Sequence, residues 1–135
     1  MIKYFGAYAA TTVVMLALDL LWLGVIAKPL YQQGIGHLMA ERPNLAVAAL
    51  FYALFPVGLM IFAVAPNGLM SGWGKTITAA ALFGFFTYAT YDLTNLATLK
   101  NWPVALALMD VIWGVVVSAA SAAAGKIALD RLAAL

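Results

Sequence analysis

The chain alternates between four long apolar runs and short stretches where charge, proline and glycine collect. The runs cover about residues 4–27, 45–65, 75–99 and 103–124. At a rise of about 1.5 Å per residue, each is long enough to cross a hydrocarbon core of ~30 Å as a helix. The pattern predicts an all-α integral membrane protein, folded as an antiparallel four-transmembrane-helix bundle in which residues 1–135 form a single transmembrane domain.

Prolines and polar residues delimit the first two predicted helices. Lys28 and Pro29 end the first, because proline has no amide hydrogen and restricts the residue before it. Asn44 is placed to cap the second. Pro56 lies inside that helix, so a kinked axis and a free carbonyl at Tyr52 are expected.

Tight turns are expected on either side of the third helix, at 66–74 and 100–103. Trp102 in the second of these turns is typical of a residue at the membrane interface. The fourth helix is expected to end near residue 124, and 126–135 then form a polar tail. Within that helix a seam of small residues at a spacing of four favours close helix packing: Gly114, Ser118 and Ala122.

The segment 28–44 is the long loop of this topology and contains the single histidine, His37. A connection of this length is often functional, for example as a lid or a short interfacial helix. A solvated turn with snorkelling cations is an equally good interpretation.

Composition supports the membrane class and excludes several others. Hydrophobic residues make up 66% of the chain and charged residues only 9%, which is too few for the surface of a soluble domain. The chain has no cysteine, which excludes disulfides and thiolate metal sites. The net charge of +2 is spread singly along the chain, so no basic patch points to nucleic acid.

Three acidic side chains interrupt the apolar runs: Asp19, Asp92 and Asp110. Counted from helix ends that open on the same membrane side, all three lie roughly 10–12 Å below that surface. We therefore expect them to converge. Low dielectric and mutual repulsion disfavour three charges at one level, so at least one acid is expected to hold a proton near neutral pH.

The most polar helical face belongs to the third helix. Tyr88, Tyr91, Asp92 and Asn95 follow the spacing i, i+3, i+4 and i+7, which places them on one side. A carboxyl group facing lipid would cost about 2.5–3.5 kcal/mol even on a lenient scale. This face is therefore expected to look into the bundle, with Asp92 as the acid that passes a proton.

Two of the acids are followed by a tryptophan one turn later. Asp19 pairs with Trp22 and Asp110 with Trp113, each at i, i+3 on one helix face. Because the two helices run in opposite directions, Trp22 is expected above the acid layer and Trp113 below it. These residues predict a pocket with a carboxyl floor and indole walls.

These same residues carry a resemblance. The chain combines Asp19-x-x-Trp22-x-Gly24, Tyr91-Asp92-x-Thr94-Asn95, Asn101-Trp102-Pro103 and Asp110-x-x-Trp113-Gly114. In this combination it resembles a bacterial family of predicted four-helix membrane proteins, domain-of-unknown-function family 2177. The resemblance implies the fold and a bacterial inner-membrane location. It implies no established activity and no catalytic residue, and it inclines the choice of substrate toward lipids.

Three functional classes remain open. The first is a protein that binds or carries a small amphiphilic or lipid-like molecule, with or without proton coupling, for which a homodimer would help alternate access. The second is a membrane enzyme or accessory subunit in fatty-acid modification. It would use the same acids with His37, although the absence of H-x-x-x-H argues against a metal site. In the third, a structural or assembly subunit, the acids only join helices. The sequence specifies no cofactor, and the bilayer is the expected partner.

The distribution of cations gives a weak orientation. With both termini on one side, four cations lie there and three on the other. The positive-inside rule then places the termini in the cytoplasm. The two sets are Lys3, Lys75, Lys126 and Arg131 against Lys28, Arg42 and Lys100.

Overall fold

The computed structural model describes residues 1–67 and 72–135, and every regular element in these two ranges is helical. The helices, in chain order, are α1 (Ile2–Leu21), α2 (Lys28–Ile35), α3 (Leu45–Leu59), α4 (Ala65–Asn67), α5 (Trp73–Thr98) and α6 (Val104–Ala133). Two π-helical turns, Trp22–Ile26 and Met60–Val64, extend α1 and α3. The second π-turn leads directly into α4, so one continuous helical rod runs from Leu45 to Asn67.

Three helices in the described ranges are long and apolar enough to cross a membrane: Ile2–Ile26, Leu45–Asn67 and Val104–Ala133. This agrees with the predicted helical membrane class. The sequence pattern had indicated four crossings, and the remaining helix, α5, is also long enough at 26 residues. Its six threonines and its face of tyrosine, aspartate and asparagine make it less hydrophobic than the other three.

The long helix α6 packs along both α5 and α1. Small residues allow the close approach, because a side chain on Gly84 of α5 would meet the Gly114 carbonyl and Ser118 of α6. A side chain on Gly125 of α6 would likewise meet the hydroxyl of Thr11 on α1. Residue numbers rise on one helix of each pair as they fall on the other. The predicted small-residue seam of α6 is buried in the structure.

The helix α3 packs less closely on its neighbours than α1 and α5 pack on α6. It contacts α1 directly, whereas the π-turn Met60–Val64 that follows it packs on α5 and α6. One turn before the π-turn, Phe55 packs on Phe83 and Tyr88 of α5, with ring centroids 5.1 and 5.9 Å apart. Between Phe55 and the start of α3 the helices diverge, and this divergence creates the cavity described below.

Proline 56 does not end α3, which continues to Leu59. The predicted free carbonyl was that of Tyr52. In the structure the neighbouring carbonyl of Ala53 accepts a hydrogen bond of 2.8 Å from the hydroxyl of Tyr8 on α1. A side chain of α1 thus donates to a backbone oxygen next to the predicted free carbonyl.

The segment 28–44, for which a short helix was one expectation, contains α2 and a 3₁₀ turn at Gly36–Leu38. The predicted end of the last helix was wrong. The predicted polar tail 126–135 is helical almost to its end, because Leu129 is fully buried and Lys126 pairs with Asp130 at 2.8 Å, one turn apart. The predicted turn at 66–74 falls partly on 68–71, outside the described residues.

Candidate functional site

A cavity of about 530 Å³ lies between α1, α3, α5 and α6, with α2 at one end. This is within the ~300–1,000 Å³ usual for small-molecule sites. Eight of its lining residues are aromatic and two are acidic. The lining consists of Asp19, Leu23, Tyr31, Ala48, Phe51, Tyr52, Phe55, Thr87, Tyr88, Tyr91, Trp102, Leu106, Asp110 and Trp113.

Asp19 is buried on α1 and accepts two hydrogen bonds from other helices. Its Oδ1 accepts from Nε1 of Trp113 on α6 at 2.8 Å. Its Oδ2 accepts from the hydroxyl of Tyr52 on α3 at 2.7 Å. One carboxyl group therefore links three helices, and both of its oxygens are occupied by neutral donors.

Asp110 accepts a hydrogen bond from a tyrosine of α2. The hydroxyl of Tyr31 donates to Oδ1 of Asp110 at 2.5 Å and accepts a longer bond of 3.4 Å from Nε1 of Trp22. Burial raises the pKa of Tyr31, and the hydrogen bond to Asp110 raises it further. Tyr31 therefore stays protonated and acts as the donor in this chain.

The two tryptophans occupy one level, which corrects the expectation that Trp22 lies above the acids and Trp113 below them. Their rings are stacked, with centroids 4.5 Å apart and planes at 5°. Helical side chains lean toward their own N-terminus. On two helices of opposite direction, tryptophans one turn past the acids therefore lean toward each other. Trp113 lines the cavity, whereas Trp22 does not and lies behind it.

Asp92 is fully buried on α5, but it does not line the cavity. It lies beside the Asp110 carboxyl and the Trp102 indole. Neither of its oxygens meets hydrogen-bond geometry with a partner among the described residues, and neither does Nε1 of Trp102. Of the three acids, Asp92 is thus the one without a donor, one layer behind the cavity wall.

The other residues of the predicted polar face divide between the cavity and its rim. Tyr88 lines the cavity and is half-buried, while Tyr91 lines it with 55% of its surface exposed. Asn95 is half-buried near Tyr91 and does not line the cavity. Trp102 was expected at the membrane interface, but only 7% of it is exposed, and its ring meets Tyr91 edge-on at 5.9 Å.

Residues 4–127 match a protein family described as "Predicted membrane protein (DUF2177)". The chain belongs to the DUF2177 family. The predicted resemblance is confirmed, since the match includes the four motifs that carried it. No curated protein and no solved structure is similar to the chain.

The cavity residues of this DUF2177 chain that were not among the predicted site residues include Tyr31, Tyr52 and Trp102. The sequence does contain an indication of Tyr31, because Tyr31, Gly34 and Ile35 have the spacing of one helical face. In the structure all three are half-buried in α2. Gly34 packs against Pro103 and Leu106 of α6. Tyr52 is a hydroxyl within an otherwise apolar run, which is the pattern of a group that needs a buried partner.

His37 lies apart from this site. It is exposed in the 3₁₀ turn after α2 and does not line the cavity. In the described part of the chain, no three His, Asp or Glu side chains are grouped as ligands of one ion. The structure therefore places His37 outside the cavity, and its role as a loop candidate stays a prediction.

Proposed function

We propose that this DUF2177 protein crosses the bacterial inner membrane four times as an antiparallel bundle, with both termini in the cytoplasm. The close packing of α5 on α6 supports α5 as the fourth crossing. Four of its threonine hydroxyls are also hydrogen-bonded within the helix, since they donate to carbonyls one turn back at 2.5–2.7 Å. These threonines are Thr87, Thr90, Thr94 and Thr98.

We further propose that the protein binds or carries a small amphiphilic, lipid-like molecule in the cavity. The observation that carries this proposal is the division of the cavity into a polar wall and an apolar rim. Asp19 and Asp110 lie on the wall with their tyrosine and tryptophan donors. The rim residues Leu23, Phe51 and Tyr91 are 46%, 39% and 55% exposed.

The rim decides the chemistry of the ligand. In a membrane, an opening bordered by Leu23 and Phe51 between α1 and α3 leads sideways into lipid. An amphiphile entering from the bilayer would keep its chain between apolar side chains and bring its head to the acids. The outward side of α3 is itself apolar and exposed, with Leu50 and Leu54 more than half accessible.

Filling the cavity tests this proposal. Ala48 lines the cavity on α3, so Ala48→Trp should occupy the space of the ligand. We expect native mass spectrometry of the parent, purified in a mild nonionic detergent, to show a retained small amphiphile. Ala48→Trp should retain at most about a tenth as much, since loss of shape fit readily costs more than 1.4 kcal/mol.

The matched control is Ala49→Trp, the same change on the neighbouring, exposed position of α3. It should retain the amphiphile as the parent does. A parent without any retained molecule, or equal retention by Ala48→Trp and the parent, would contradict the proposal.

Asp92 favours a proton-linked form of this function. It is a buried acid beside Asp110, and neither of its oxygens meets hydrogen-bond geometry with a donor among the described residues. Two adjacent carboxyl groups that share one proton are a common arrangement for proton transfer. We propose that Asp92 holds this proton and exchanges it with Asp110 at the cavity wall.

The isosteric change Asp92→Asn removes the titratable group and keeps the shape. We expect the variant to unfold at the same temperature as the parent, within a few degrees, since a neutral amide replaces a group without a donor. In vesicles with an imposed potential, the parent should move protons. Asp92→Asn should move them no faster than protein-free vesicles do.

Glu41→Gln is the control, because it makes the same chemical change in the exposed segment after α2. It should move protons as the parent does. Undiminished proton movement in Asp92→Asn would assign Asp92 a structural role.

A further inference from the structure

We infer that the head group taken by this cavity is a cation, so that the ligand is an amphiphile with a positively charged nitrogen. This inference rests on the proposed amphiphile binding and specifies its chemistry. It starts from the direction of the hydrogen bonds, in which Asp19 and Asp110 are the acceptors.

An indole Nε1 is a donor only, and so it shows which partner accepts. Trp113 must donate to Asp19, and Trp22 must donate to Tyr31, whose own hydrogen is then directed at Asp110. Tyr52 supplies the second donor to Asp19. Each of these series of hydrogen bonds therefore ends on a carboxyl oxygen as the acceptor, and hydrogen bonds to a carboxyl oxygen favour the carboxylate form.

Among the described residues, no lysine or arginine forms a salt bridge with Asp19 or Asp110. The one salt bridge among residues 1–67 and 72–135 joins Lys126 to Asp130, near the far end of α6. The four residues outside these ranges include neither lysine nor arginine. Tyrosine and tryptophan donors solvate a negative charge but do not cancel it, and a buried unpaired charge is costly.

The walls of the cavity suit the same head group. Eight lining residues are aromatic, and ring faces attract cations, most strongly when water is excluded. Trp113 donates to Asp19, and Tyr88 packs on Gly114 of α6, the helix that carries Asp110. A quaternary ammonium group between rings and carboxylates is recognised in this way.

The unpartnered oxygens of Asp92 are a second, independent indication. Asp92 is fully buried, and its nearest polar neighbours are Asp110 and Trp102, both of which line the cavity. A positive head group at Asp110 would compete with the proton that Asp92 and Asp110 share, since it would favour the ionised form of the pair.

Three probes with the same ten-carbon chain separate the charge of the head from the fit of the chain. They are decyltrimethylammonium, decanol and decanoate, each added to the full-length protein in nonionic detergent. Binding is followed by tryptophan fluorescence, since Trp113 touches the site and stacks on Trp22. We expect saturable binding of decyltrimethylammonium at least about tenfold tighter than of decanol, and none of decanoate.

Asp19→Asn and Asp110→Asn then assign the preference to residues. Each should weaken decyltrimethylammonium at least about tenfold, with decanol unchanged, because a charge is removed and the shape is kept. Glu41→Gln should bind all three probes as the parent does. The probe comparison on the parent does not depend on the folding of any variant.

The outcomes distinguish the cationic head group from the proposed amphiphile binding on which it rests. Equal binding of decanol and decyltrimethylammonium would overturn the cationic head group and leave the amphiphile cavity standing. Preferential binding of decanoate would also overturn it. Absence of saturable binding by all three probes would overturn the inference and count against the proposed function as well.

Discussion

Gly84→Ala should destabilise the protein by about 2 kcal/mol or more, which is large for the addition of one methyl group. A Cβ atom at this position would overlap the carbonyl of Gly114 and the side chain of Ser118. The carbonyl belongs to the backbone of α6, so the contact is relieved only if the two helices separate. The midpoint of unfolding in a denaturing detergent titration measures the effect.

The same change at Gly74 is the control, since both glycines lie in α5 and a Cβ on Gly74 would meet nothing within 4 Å. Gly74→Ala should leave the midpoint unchanged or raise it slightly, as alanine is the better helix former. We also expect Gly84→Ala to impair the cavity, because Tyr88 packs on Gly114 next to the forced contact. Equal midpoints for the two variants would show that the α5–α6 interface is not held by backbone proximity.

Leu129→Ala should lower the free energy of unfolding by about 2–4 kcal/mol, the range for an emptied core position. Leu129 is fully buried in the hydrophobic core that also contains Ala7 of α1 and Val64 of the π-turn after α3. Lipid chains cannot fill an internal void, so the packing of this side chain is lost without replacement. The expected result is a lower unfolding midpoint in the same titration.

Ile127→Ala provides the comparison on the same helix. Ile127 is similar in size and 47% exposed, so it faces the surroundings and not the core. Its replacement should change the free energy of unfolding by less than about 1 kcal/mol. If both variants behaved alike, the end of α6 would be a polar tail outside the core, as the sequence pattern had suggested.

Part of the site could be predicted because the sequence gives the level of each acid along its helix. Asp19, Asp92 and Asp110 were placed at one level by helix length and alternation alone, and two of them line one cavity with the third beside it. Depth along a helix follows from a constant rise per residue. The rotation of each helix and the lean of its side chains do not follow from the rise, and they decide which groups touch.

Asp92 illustrates the difference. Its polar face on α5 made it the expected centre of the site, yet it lies behind the wall, and Asp19 and Asp110 receive the donors. The donor to Asp110 comes from Tyr31, 79 residues away in the chain. A pairing of this kind depends on where α2 docks, and local spacing contains little of that information.

The sequence by itself determined the helical membrane class, the family and the common level of the acids, because hydrophobicity and helical rise add up residue by residue along the chain. The tertiary structure alone decided the stacking of Trp22 on Trp113, the burial of Trp102 and the helical course of 126–135. It also decided the gap that forms the cavity, where α3 diverges from α5 and α6. These features arise from the offset and separation of packed helices, which contacts between distant residues set.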